Sequence, residues 1–124
     1  MISQTPSEFS RQYLETWTEP DPERRRANLE RMWSADGRMV VSSIGVTPCG
    51  IDEIAAHIAR VHEQNIAGRG LRFVYDQDVE ADDALLLRWS MLASDDSAVG
   101  RGVDVVFRDA DGRVQTVYMF MGID

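Results

Sequence analysis

Lysine is absent from this chain. All 13 basic residues are arginine, set against 21 acids, and the net charge over 124 residues is −8. Such a chain lacks the basic face that a nucleic acid or an anionic membrane needs, so neither partner is expected. Cysteine is scarce as well. Cys49 alone excludes an internal disulfide and a multi-cysteine metal site. His57 and His62 are five residues apart, a spacing that does not aim both at one ion, and no HExxH motif occurs. Neither a metal nor a cofactor is expected. No apolar run approaches the roughly 20 residues that span a bilayer. Residues 1–8 lack the basic start and apolar stretch of a signal peptide. A cytoplasmic location is the expectation. Repeats, low-complexity tracts and linkers are also missing. The chain therefore reads as a single domain over 1–124, with residues 1–6 expected to be flexible and the rest long enough to bury a core.

The first half carries helical spacing. Phe9, Tyr13 and Trp17 recur every four residues. Asp21, Pro22 and Glu23 suit the N-cap, first position and first turn of a second helix. That helix has Leu29, Met32 and Trp33 on one side and is expected to stop at Asp36-Gly37, before a short strand at 38–42. A third helix follows Gly50, with Ile51, Ile54, Ile58, Val61, His62 and Asn65 along one stripe to Ala67-Gly68. The second half alternates as strands do, over 71–79, 85–92, 99–107 and 113–122. In the first of these Leu71, Phe73, Tyr75 and Val79 share a face. In the second, Leu85, Leu87, Trp89 and Met91 do. Helices first and an antiparallel meander afterwards define an α+β fold, with helices on one face of a curved sheet.

Asp104 stands out within RGVDVVF (101–107). A carboxylate among valines is costly unless it is wet, partnered or protonated. Alternation groups it with Gly102 and Val106, opposite Val103, Val105 and Phe107, and that pattern alone leaves both faces open.

Taken together, YLETW, RMWSADGRMVV, GIDEIAAHI and above all GVDVVFRDADGRVQTVYMF resemble the nuclear-transport-factor-2-like superfamily, in its SnoaL-like and ketosteroid-isomerase-like branch. The resemblance covers about residues 7–122. It implies a cone: a strongly bent, mostly antiparallel sheet, three helices closing a concave pocket, and a convex side that often forms a homodimer. In ketosteroid isomerases a tyrosine and a protonated aspartic acid hold an enolate oxygen while a second aspartate moves the proton. The resemblance places Tyr13 at the tyrosine and Asp104 at the oxyanion acid, eight residues before the turn glycine, Gly112. Val41 falls at the proton-moving aspartate, and Met39, Val40 and Ser42 supply no carboxylate. Standard steroid isomerisation is therefore not expected. The Arg-x-Asp of limonene-epoxide-hydrolase-like members reads Arg88-Trp89-Ser90 here, so that activity is unsupported too.

Inside the cone Asp104 should have a raised pKa and donate a hydrogen bond at neutral pH. Tyr13 is its expected partner. His62, on the inner stripe, is the candidate stand-in base. Trp17, Trp33, Met39, Val41, Phe73, Trp89, Met119 and Met121 are the candidate lining. The function expected is binding of a small, mostly hydrophobic molecule bearing a carbonyl or hydroxyl, with isomerase, dehydratase or cyclase chemistry open. The alternative is a non-catalytic dimeric interaction module of the same fold, with a filled pocket and an exposed apolar patch.

Overall fold

In a computed structural model of the chain, residues 6–42 and 44–122 are described. Most of the 1–6 segment expected to be flexible lies outside them. Three helices come first: α1 (Pro6–Thr18), α2 (Pro22–Met32) and, after strand β1 (Trp33–Val41), α3 (Gly50–Val61). A π-helical segment, His62–Ala67, continues α3. Strands β2 (Arg72–Ala81), β3 (Ala84–Leu92), β4 (Ala98–Arg108) and β5 (Val114–Met121) complete one sheet in the order β1-β5-β4-β3-β2. Among the described residues only the β1–β5 pairing is parallel. The α+β architecture read from the sequence is thus the one observed.

Local chemistry sets most boundaries. Asp21 caps α2 by accepting from the Glu23 amide, with Pro22 at the first position. The end of α2 differs from expectation. The helix stops at Met32, and Trp33 is extended as the first residue of β1, with its side chain buried in the core. Asp36-Gly37 does not stop a helix. It lies in a bulge of β1, where the pairing moves from Trp33↔Val114 to Arg38↔Thr116. A Cβ on Gly37 would lie 2.6 Å from the Trp33 indole, so only glycine lets that ring fold back over the bulge.

A second bulge, between Tyr75 and Gln77, reverses the alternation of β2. Phe73 and Tyr75 pair with Met91 and Trp89, but past the bulge Asp78, not Gln77, pairs with Leu87. Val79 therefore lands on the outer face, 46% exposed, contrary to the face-sharing expected of it. Asp78 turns inward and accepts from Ser10 Oγ of α1 at 2.7 Å.

The core fills one end of the concave side. Phe9 and Tyr13 of α1, Leu29, Trp33, Met39, Ile54, Ile58, Leu85, Leu87, Val106, Val114 and Val117 are all nearly or fully buried there. The other end of the concave side is not filled.

Candidate functional site

Sheet register determines where the core stops. One row of the ladder runs Leu87, Asp104, Met119, Val41 across four strands. The next runs Tyr75, Trp89, Gly102, Met121, and the one beyond it pairs Phe73, Met91 and Gly100. Behind the Asp104 row lies packed core. In front of it is a cavity of about 230 Å³, with Val41, Phe73, Tyr75, Trp89, Met91, Asp104, Met119 and Met121 as its sheet wall. Leu14 and Trp17 of α1, His57 and Val61 of α3, and Gln64 and Asn65 of the π segment form the other wall. Ile44, His57, Val61 and Gln64 are shared with an outer groove of about 600 Å³, which makes that groove the mouth of the cavity.

Asp104 is 3% exposed and faces this cavity. Trp89 Nε1 donates to its Oδ1 at 2.9 Å. The described residues offer it no second donor and no cation. Burial therefore dominates and raises the carboxyl from 3.8 to about 7, against the lowering effect of the Trp89 bond. The bond depends on Gly102. A Cβ there would lie 2.4 Å from the Trp89 ring, so glycine lets the indole lie across β4 and reach the acid two residues on.

Tyr13 is not the partner of Asp104. Its ring is fully buried in the core, stacked on Phe9 at 6.1 Å, and does not line the cavity. Its hydroxyl has no hydrogen-bond partner. The Trp17 side chain lies near it without hydrogen-bond geometry. Burial, and then the negative charge of nearby Asp104, hold the phenol well above its usual range. The tyrosine that does line the cavity is Tyr75, whose phenol is raised by the same two causes and by Tyr13. Sequence reasoning overlooked it, although the alternation with Phe73 marked its face.

The histidines exchange roles relative to expectation. Five residues of helix turn through roughly 140° beyond a full revolution, so His57 and His62 cannot face one side. His57 lines the cavity, edge-on to Trp17 at 6.2 Å, and burial followed by the Arg60 charge lowers its pKa, so it is neutral at pH 7. His62 turns to the α1–α2 junction, near the Thr18 backbone and Arg25. Burial and then Arg25 lower its pKa too. It does not meet the cavity. Trp33 and Met39 also drop out of the lining, since both sit deeper along β1 than Val41. Trp17, Val41, Phe73, Trp89, Met119 and Met121 line the cavity.

Comparison with known proteins agrees with this fold. No family model and no curated protein matches the chain. Solved structures do. A SnoaL-like family protein from Agrobacterium tumefaciens, provisionally assigned as an isomerase, shares 27% identity, with a TM-score of 0.84 over 95% of this chain and 97% of that one. A SnoaL-like protein from Jannaschia, provisionally assigned as a polyketide cyclase, is 16% identical, with a TM-score of 0.71 over 98% and 92%. A ketosteroid-isomerase-like protein from Catenulispora acidiphila, solved with trimethylamine, is 15% identical, with a TM-score of 0.72 over 94% and 86%. The fold is that of the nuclear-transport-factor-2-like superfamily. In that fold the chain is similar to SnoaL-like and ketosteroid-isomerase-like proteins.

Proposed function

We propose that the protein binds a small, mostly apolar molecule in the cavity through one polar group met by Asp104, and that Asp104 and His57 serve it as a proton-transfer pair. The observation that carries this reading is a buried carboxyl with one hydrogen bond, from Trp89, on the floor of an apolar cavity, where burial pushes it up to about 7. Environments that push a carboxyl up and an imidazole down mark an acid and a base. Protonated Asp104 can donate to a carbonyl or hydroxyl of the ligand. Neutral His57, on the helix wall of the same cavity, can accept a proton from the carbon next to that carbonyl, leaving an enol held by Asp104. If the ligand carries a β-hydroxyl, the same proton supply would release it as water. That covers isomerase-, dehydratase- and cyclase-type steps, and it replaces the base missing at Val41. The volume of about 230 Å³ lies below the roughly 300–1,000 Å³ of drug-sized sites, which favours a ligand smaller than a fused four-ring skeleton.

Cyclohexanone is a suitable carbonyl probe. Its titration against the Trp89 indole N–H resonance should show an affinity loss of about tenfold in Asp104→Ala, the worth of one hydrogen bond from a polar donor. Equal affinity in variant and wild type would remove Asp104 from the site.

A homodimer through the outer sheet face is part of the same proposal. No helix among the described residues covers Leu86, Val103, Val105, Tyr118 and Phe120, which the ladder places on that face. Phe120 is 41% exposed and Val79, on the same side, 46%. Sedimentation equilibrium at micromolar concentration should give twice the 14.0 kDa chain mass. A monomer under those conditions would dismiss this interface.

A further inference from the structure

Every group near the Asp104 carboxyl is neutral or apolar. Oδ1 is held by the Trp89 indole, and no described residue engages the other oxygen, which leaves it to the cavity. No arginine lines that cavity. The titratable side chains facing it are Tyr75 from β2 and His57 from α3, with Tyr13 of α1 buried behind; β1, β5 and the π segment contribute none. A buried carboxylate without a counter-charge is expensive, and the described residues supply none.

The remaining wall suits a cation. Trp17, Phe73, Tyr75 and Trp89 bring four aromatic rings to one small volume, with the Phe73 and Trp89 centroids 6.0 Å apart. Ring faces attract cations, most strongly where water is excluded. Met91 and Met119 add polarizable thioethers that adapt to alkyl groups. The net charge of −8 favours the approach of cations and disfavours that of anions.

We propose that the cavity takes a second class of ligand, small apolar amines bound as ammonium ions against Asp104. The inference rests on the cavity reading above but not on any turnover there. The two ligand classes use opposite states of one group. A carbonyl accepts from the protonated acid, whereas an ammonium ion donates to the carboxylate. The protein would then select between them by pH.

Cyclohexylammonium and cyclohexanone share a ring and differ in the polar group, so they separate the two. The amine keeps its charge from pH 6 to 8, since aliphatic amines titrate near 10. Its affinity, read at the Trp89 indole N–H, should rise about tenfold over that range as Asp104 ionises around 7, and that of cyclohexanone should fall by a similar factor. Asp104→Asn should lose the amine at pH 8 by tenfold or more and keep cyclohexanone, because an amide still donates but carries no charge. The wild-type pH series needs no variant and stands even if Asp104→Asn folds poorly. Amine affinity that is flat with pH, or retained in Asp104→Asn, overturns the proposal. So does cyclohexanone binding without amine binding, which leaves the cavity reading intact. If neither probe moves the Trp89 signal, both readings fall.

Discussion

Asp104→Asn should make the protein more stable at pH 8, by up to about 4 kcal/mol, and leave it unchanged near pH 3. An unfolded chain ionises this carboxyl near 3.8, while the folded one holds its proton to about 7. The folded pKa is the raised one. Its stabilising contribution is therefore complete below 3.8 and is lost as pH climbs from 3.8 through 7. That interval corresponds to about 4 kcal/mol by the usual conversion. Above 7 the wild type holds a buried carboxylate with one hydrogen bond and no cation. Asparagine keeps the acceptor for Trp89 Nε1 and removes the charge. Urea unfolding at pH 3, 6 and 8 should show the two stabilities diverging steadily, and thermal unfolding at pH 8 a melting difference of up to about 15 °C for a domain this size. Coincident stabilities at pH 8 would mean that the acid finds a partner or water in the folded state. A gain would be the stability given up for a site that needs a poised acid.

Much of this arrangement was legible in the sequence, and the limits are instructive. Strand alternation grouped Leu85, Leu87, Trp89 and Met91 correctly, and it set Asp104 with Gly102 and Val106. It could not say which strand pairs with which, or in what register. That depends on the two-residue Asp82-Asp83 turn, where Asp82 takes φ 56, and on bulges that leave no strong local signal. The Trp89–Gly102 pairing that delivers an indole to Asp104 is a product of that register. The first bulge shows the same limit from the helical side. Trp33 fits a helical stripe as well as a strand, and burial against the core decided between them. The histidine spacing said that the two rings do not meet at one point, but not which of them meets the cavity. The roll of α3 on the sheet selected His57, and roll is a tertiary property. Tyr13 carries the position that the resemblance assigns to a donor, but core packing against Phe9 and Trp33 draws it behind the cavity wall.

Gly102→Ala should cost about 3 kcal/mol, far more than an alanine usually costs in a strand, and should raise the Asp104 pKa further. The added methyl would lie 2.4 Å from Phe120 O and 2.4 Å from Trp89 Cζ2. The carbonyl belongs to the neighbouring strand, at the Val103↔Phe120 and Gly102↔Met121 register, and cannot retreat without opening the β4–β5 ladder. The indole must move instead. Overpacking of this kind costs about 1–3 kcal/mol. Displacing the indole also removes the one donor of a buried acid, worth about 1 kcal/mol while the acid is protonated and about 1.5–3 kcal/mol once it ionises. Gly100→Ala is the control. It lies on the same face of the same strand, but its nearest neighbour is the terminal Met91 Cε at 3.0 Å, which can rotate aside. Thermal unfolding of both variants, together with a carboxyl ¹³C titration of Asp104, separates the explanations. A large loss at 102 with an upward move of the Asp104 midpoint, and little change at 100, is the expected pattern. Equal losses at both positions would trace the effect to strand propensity and leave the acid's state independent of the Trp89 contact.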